Sequence, residues 1–354
     1  MGPDLQIDSG GVASPAVQPI PVIALTGYLG AGKTTLLNHV LRSPDARIGV
    51  VINDFGELNV DAGLVTGQVD EPASIAGGCI CCLPDEGGLD VALERLADPK
   101  LRLDAIIVEA SGLADPVAVS RIIRFSGVDG IRPGGVVDVL DAATHFDTID
   151  RDDAPPARYG AATLVVVNKL DRVPAAERAA TMERFESRIR PVNPHAYVVG
   201  VTAGRIDPTL LYDIAAATPE SGQLSFRELL VDTGAHDHDH THADSVTVVS
   251  DGCVDPDAVI DLLEEPPAGV YRMKGTIAVR YRASTRRYTV NVVGPSVHIA
   301  VAPAQAQSNS LVAIGMGLDT AQVRDRMRSA LTSVSGPAAP QGIRRLQRYR
   351  RLSI

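Results

Sequence analysis

The sequence has no long hydrophobic run: its apolar stretches are of buried-strand length and fall short of the roughly eighteen residues that argue for a membrane span. An excess of basic charge is missing as well. The 33 Lys and Arg stand against 43 Asp and Glu, a formal net charge of −10, which argues against a nucleic-acid partner whose phosphates need a basic face. The segment up to about Gln18 contains Pro3 and Pro15 but no basic start followed by an apolar stretch, so residues 1–19 read as a disordered leader and not as a signal peptide. Cysteines number four, and three of them lie in Cys79-Ile80-Cys81-Cys82. Secreted proteins space cysteines to staple distant segments. Three thiols within four residues, with no export signal, read as metal ligands or redox thiols kept reduced in a cytoplasmic protein. No internal repeat is visible.

The most informative stretch present is Gly27-Tyr28-Leu29-Gly30-Ala31-Gly32-Lys33-Thr34-Thr35, between the strand-like Val22–Leu25 and a helix-like run carrying Leu36, Leu37, Val40 and Leu41. Glycines let such a backbone curl with its N–H groups inward around a phosphate; Lys33 reaches the β- and γ-phosphates and the Thr34 hydroxyl can ligate Mg²⁺. Gly27, Gly30, Ala31, Gly32, Lys33, Thr34 and Thr35 are therefore expected to hold a nucleoside triphosphate.

Around this loop, runs rich in Val, Ile and Leu alternate with amphipathic stretches. Strands are expected at 22–26, 48–53, 105–109, 135–140, 163–168 and 196–199, and helices at 34–41, 88–96, 116–125, 175–189 and 208–216. The pattern predicts an α/β fold: a doubly wound, mostly parallel sheet forming a P-loop domain over residues 20–217. Residues 218–244 break the rhythm and read as a His-rich linker. Strands expected at 245–250, 270–282, 286–293 and 297–302, with helices at 256–263 and 321–331, predict a second, smaller α+β domain over 245–333. The remainder, 334–354, reads as an irregular basic tail.

Asn168-Lys169-Leu170-Asp171 follows the apolar run 164–167. A carboxylate at Asp171 can accept from both N1–H and the 2-amino group of guanine, donors that adenine lacks, so this motif predicts guanine specificity. Asn168 can tie the base to the phosphate loop, and the Lys169 stem can lie over the ring. Glu109-Ala110-Ser111-Gly112 ends another expected strand. Glu109 supplies an anionic oxygen near Mg²⁺, and the Gly112 N–H can meet the γ-phosphate. Lys33, Glu109 and Gly112 are thus the expected catalytic residues. The residues after Gly112 are Leu113 and Ala114, with no glutamine to orient a water, which predicts slow intrinsic hydrolysis stimulated by a partner or by metal.

Two or three thiolates from the turn Cys79, Cys81 and Cys82 can occupy corners of a tetrahedron around Zn²⁺. Cys253 stands alone in the second domain, so the set is incomplete, arguing for an exchangeable site completed by a carboxylate such as Glu57 or by water. Small buried thiols and a redox pair are the alternatives. His236, His238, His240 and His242 alternate along one side of an extended segment and suit an auxiliary, fast-exchanging metal site; a polar linker is the plainer reading. Arg344, Arg345, Arg348, Arg350 and Arg351 read as a solvated basic tail, with docking against an acidic client or the protein's own acidic face as the alternative. His39 and His145 read as structural.

Together these residues resemble the CobW-type metal-trafficking GTPases, relatives of the GTPases that mature urease and hydrogenase. The resemblance covers nearly the whole chain: the phosphate loop, Asn53-Asp54-Phe55-Gly56-Glu57, Gly78-Cys79-Ile80-Cys81-Cys82, Glu109–Pro116, Asn168–Asp171, and in the second domain Tyr271–Gly275 and Leu311–Gly315. It implies a GTP-hydrolysing metallochaperone with Mg²⁺ held by Thr34, Glu109 and Asp54, the last standing where glutamate is more usual. It implies Zn²⁺ or Co²⁺ bound by Cys79, Cys81, Cys82 and Glu57, and delivery to a client metalloprotein, with a homodimer possible. A cobalt-delivery protein for cobalamin synthesis, a GTP-binding metal buffer or sensor, and a phosphate-loop kinase are the competing readings; the Asn-Lys-x-Asp motif disfavours the kinase.

Overall fold

The computed structural model describes residues 18–42, 46–53, 88–110, 112, 114–212, 243–282, 284–302 and 308–353. Among them, six strands form a parallel sheet: β1 (Ile20–Gly27), β2 (Ile48–Asn53), β3 (Ala105–Ala110), β4 (Ile131–Asp141), β5 (Leu164–Asn168) and β6 (Tyr197–Gly200). Their order, β2-β3-β1-β4-β5-β6, turns back at β1, so the loop after β1 opens where the winding reverses and ligands bind in doubly wound sheets.

Both faces of this sheet are covered, which explains the continuous Val, Ile and Leu runs. On one face α1 (Lys33–Leu41) packs Leu36, Leu37 and Val40 against Ile23 and Leu25. On the other, α2 (Gly88–Leu96) and α3 (Pro116–Arg124) bring Leu93, Leu96, Val119 and Ile123 onto Val22, Ala24 and Val108. The one-turn helix α4 (His145–Thr148) precedes α5 (Arg178–Ile189), whose Phe185 and Ile189 close the core over Val165 and Val167. The helix expected from residue 175 begins at Arg178, after a 3-10 turn at Ala175–Glu177.

The second sheet is antiparallel, in the order β10-β9-β8-β11-β7: β7 (Asp244–Ser250), β8 (Val270–Arg280), β9 (Thr285–Val293), β10 (Ser296–Val301) and β11 (Asn309–Gly315). One face carries α6 (Pro256–Glu264), α7 (Thr320–Ala330) and α8 (Pro340–Leu352). Its other face meets the parallel sheet, where Tyr271, Val293 and Ile314 join the core built on α1. Tyr271 stacks on Tyr197 with ring centroids 5.1 Å apart, and its hydroxyl lies 3.1 Å from Thr163 Oγ1. Burial pushes the Tyr271 phenol up to about 12, so it stays a neutral hydrogen-bonding group across the junction.

Three elements depart from expectation. The irregular tail is in part a helix. Pro340 starts α8, Gly342 and Leu346 are buried, and Tyr349 packs against the same core. Arg345 reaches Asp257, Asp261 and Glu264 on α6, so the protein's own acidic face takes this arginine. Residues 311–315, named above only for their resemblance, lie in β11, between β8 and β7. The helix expected at 208–216 is only a 3-10 turn, Pro208–Leu210, in its described part; consecutive burial of Leu210, Leu211 and Tyr212 leaves no polar helix face there.

A buried network stiffens the far side of the parallel sheet. Tyr159 donates to Asp150 Oδ2 at 3.1 Å, and Arg188 Nε reaches the same oxygen at 3.0 Å. His145 Nε2 lies 2.6 Å from the Tyr159 oxygen, so with the phenol proton directed to Asp150 the neutral ring donates from Nε2. Burial pushes the His145 pKa down to about 4. The folded protein therefore refuses a proton that the unfolded chain accepts below pH 6.5, and stability falls with pH from 6.5 towards 4. His145→Gln keeps a donor without the titration. Its denaturation midpoint, compared with wild type at pH 7 and pH 4.5, should show the wild type losing about 2.5 kcal/mol more.

Candidate nucleotide and metal site

The loop joining β1 to α1 has backbone φ angles of 145° at Gly27, 76° at Gly30 and 103° at Gly32, values that L side chains rarely adopt. A Cβ on Gly32 would strike the Asn168 amide, so glycine is required there by space as well as by conformation. Lys33, 8% exposed, folds back to donate from Nζ to Gly27 O at 3.0 Å. Its ammonium is thus fixed over the curled loop, whose first-turn N–H groups face the same opening.

Thr34 Oγ1 donates to Glu109 Oε1 at 3.1 Å, joining the start of α1 to the end of β3. Glu109 is 3% exposed, and a hydroxyl beside a carboxylate is a hard-oxygen pair of the kind Mg²⁺ takes. The Gly112 backbone passes under the loop so closely that a Cβ would lie 2.7 Å from Leu29 N. The segment that follows β3 and the phosphate loop are therefore in contact, and Asp115 then caps α3 by accepting from Val117 N at 3.0 Å.

Asn168, 1% exposed, is a clamp: Nδ2 donates to Ala31 O at 2.9 Å, and Oδ1 accepts from Gly204 N at 2.8 Å. Lys169 sits in a left-handed conformation, φ 65°, and donates from Nζ to Gly30 O at 2.5 Å and to Asp141 Oδ2 at 2.7 Å. Asp171 lies on the exposed 3-10 turn Leu170–Arg172. Structure thus brings Gly30, Ala31, Gly32, Lys33, Thr34, Glu109, Gly112, Asn168 and Lys169 into one constellation at the C-terminal ends of β1, β3 and β5, with Asp171 on the adjoining turn.

Three contributors escaped sequence reasoning. Asp141 ends β4 and pairs with Lys169; although burial opposes ionisation, the Lys169 hydrogen bond and charge hold its carboxyl below the usual range. Gly204 brings the loop after β6 onto Asn168. Asp138, fully buried, accepts from Thr26 Oγ1 at 2.9 Å and from Arg158 at 2.6 and 3.0 Å, bracing the strand that leads into the phosphate loop. Only Asp141 left a sequence signal, an acidic residue one position beyond an expected strand.

Asp54, Glu57, Cys79, Cys81, Cys82 and His236, His238, His240 and His242 lie outside the described residues, and among the described residues no cluster of His, Cys, Asp and Glu could hold a metal. What can be placed is the end of β2: Asn53 pairs in register with Ala110, next to Glu109. Of the histidines read as structural, His39 bonds Ile206 O at 3.0 Å and burial lowers its pKa. No helix among the described residues is long and apolar enough to cross a membrane.

The fold and this constellation define a P-loop protein of the GTPase fold joined to an antiparallel C-terminal domain. Residues 21–199 match the CobW/HypB/UreG nucleotide-binding domain, and residues 243–331 match the cobalamin synthesis protein cobW C-terminal domain. The chain belongs to the CobW/HypB/UreG family. It is 28% identical over 344 residues to a zinc chaperone CobW of Sinorhizobium sp, covering 86% of this chain and 95% of that protein. It is 29% identical over 254 residues to the zinc chaperone YjiA of Escherichia coli strain K12, covering 70% of this chain and 75% of that one. With the zinc-regulated GTPase metalloprotein activator 1 of Dictyostelium discoideum it shares 28% over 253 residues, 58% of this chain and 52% of the relative.

Proposed function

We propose that this protein is a GTP-hydrolysing metallochaperone that binds Zn²⁺ at Cys79, Cys81 and Cys82 with Glu57 and passes it to a client metalloprotein. The observation that carries this reading is the Thr34–Glu109 contact of 3.1 Å beside Lys33, in a loop clamped by an Asn-Lys-x-Asp motif. Lys33 takes the β/γ-phosphate charge, Thr34 and Glu109 hold Mg²⁺ with Asp54, and Asp171 selects guanine. Water attacks the γ-phosphorus, the bond to the GDP oxygen breaks, and phosphate and a proton leave. No glutamine follows Gly112, so turnover is slow until a partner or bound metal positions the water.

Zinc is favoured over cobalt because the curated relatives named above are zinc chaperones or a zinc-regulated activator. Coupling follows from connectivity. The segment bearing Glu57 and the thiols leaves the sheet at Asn53, beside Ala110 and Glu109, so ordering around Mg²⁺ and the γ-phosphate also orders the metal ligands. Hydrolysis then loosens the site and releases Zn²⁺.

The test is binding of a non-hydrolysable GTP analogue with and without Zn²⁺ under reducing conditions. Wild type should bind the analogue about tenfold more tightly with Zn²⁺, a coupling within the usual 1–3 kcal/mol. The Cys81→Ser/Cys82→Ser protein should bind it equally with and without the metal. An unresponsive wild type overturns the reading.

A further inference from the structure

The second domain carries a surplus of positive charge on an acidic chain. Residues 243–353 hold 14 Lys and Arg against 9 Asp and Glu, while the formal net charge of the whole is −10. The surplus is concentrated on α8, which contains five arginines and no carboxylate. Of these, Arg345 is absorbed by the fold. Its guanidinium gathers Asp257, Asp261 and Glu264, carboxylates spaced i, i+4 and i+7 along α6.

Arg344, Arg348 and Arg351 have the same i, i+4, i+7 spacing, so they form one row, and all three are exposed. None of them makes a hydrogen bond or ion pair among the described residues. Like charges one turn apart weaken a helix, and no described carboxylate offsets the repulsion along this row. The row ends beside an apolar side chain, Leu352, which is 70% exposed. On its flank the β8–β9 hairpin adds a fourth guanidinium. Gln347 of α8 donates to the Tyr281 hydroxyl at 3.1 Å, and the exposed Arg286 lies over the Tyr281 ring, 5.2 Å from its centroid.

We infer that this face of α8 is a docking surface for a partner protein that presents an acidic α-helix, with carboxylates at i, i+4 and i+7 set against Arg344, Arg348 and Arg351. The molecule already contains one such fit, since α6 offers a carboxylate row of that spacing to α8 through Arg345. Planar guanidinium groups suit carboxylate oxygens, which is why arginine rather than lysine fills such positions. In a second copy of this chain α6 is engaged in the same way, so the acidic helix belongs to a different protein. A long polyanion fits less well. The ring beside the row, Tyr281, is already covered by Arg286, and a net charge of −10 repels a polyanion wherever it extends past the roughly 10 Å over which the row dominates. The surface lies on the helical face of the antiparallel sheet, so the inference stands apart from the nucleotide and metal reading.

The probe is an alanine-rich helical peptide of about twenty residues with glutamate at i, i+4 and i+7, titrated into the full-length protein at low salt; a control peptide carries glutamine at the same places. The glutamate peptide should bind at least about tenfold more tightly, as three exposed ion pairs together provide. That advantage should vanish in about 0.5 M NaCl. Arg344→Gln/Arg348→Gln/Arg351→Gln protein should bind the two peptides equally, while its denaturation midpoint and its affinity for a GTP analogue match wild type. Equal binding of the two peptides by wild type overturns the assignment, as does a preference that survives the triple substitution. Tighter binding of a short duplex RNA, or of phosphatidylserine vesicles, than of the glutamate peptide also overturns it, in favour of a nucleic acid or a membrane.

Discussion

Asp171→Asn protein should lose guanine nucleotide affinity by about 10³–10⁴-fold and gain xanthine nucleotides in its place. A buried or stacked base edge that offers two N–H donors is matched by a carboxylate accepting both, and a site built to make such bonds rejects partners that cannot make them by roughly this factor. An asparagine amide presents one acceptor and one donor, which suits the N1–H and O2 of xanthine. Asp171 is exposed on the Leu170–Arg172 turn and makes no side-chain hydrogen bond or ion pair among the described residues, so the substitution isolates recognition from stability. Direct competition of GDP and xanthosine diphosphate for a fluorescent nucleotide reads the switch. Unchanged guanine affinity would show that another group selects the base.

The second large effect is expected at Lys33. Its ammonium is held over the loop by Gly27 O at 3.0 Å, where the proposed reaction places the charge of the transferring phosphoryl group. Removing one such preorganised donor costs about 10²–10³-fold in the chemical step. Single-turnover hydrolysis by Lys33→Ala should fall by that factor, while the denaturation midpoint changes little because α1 is anchored by Leu36, Leu37 and Val40. A fall in stability matching the fall in rate would assign Lys33 a structural part instead.

The parallel sheet was legible because buried strands write themselves as unbroken runs such as Leu164-Val165-Val166-Val167, and the loop after β1 because glycines at 27, 30 and 32 sit at fixed spacing before Lys33. Helix α8 was not. Its inward face is Gly342, Leu346 and Tyr349, one small and one large apolar group with a phenol, among arginines of which Arg345 finds its partners on α6, 81 to 88 residues earlier in the chain. Strand β11 hid for a related reason: it opens with Asn309, which is 1% exposed yet polar, because its amide bonds Ser250 Oγ, Gly252 O and Ala278 N. The Asp141–Lys169 and Asp138–Arg158 pairs join residues 28 and 20 positions apart, and local pattern carries no record of which carboxylate meets which cation.

The central claim is that the nucleotide pocket and the thiol turn share one equilibrium, so the affinity of each must depend on occupancy of the other by the same factor. The most direct measurement is Zn²⁺ affinity by chelator competition, in reduced protein loaded with a non-hydrolysable GTP analogue and in the same protein loaded with GDP. The account predicts tighter binding by about tenfold in the analogue-bound form. Equal affinity in the two forms would contradict it.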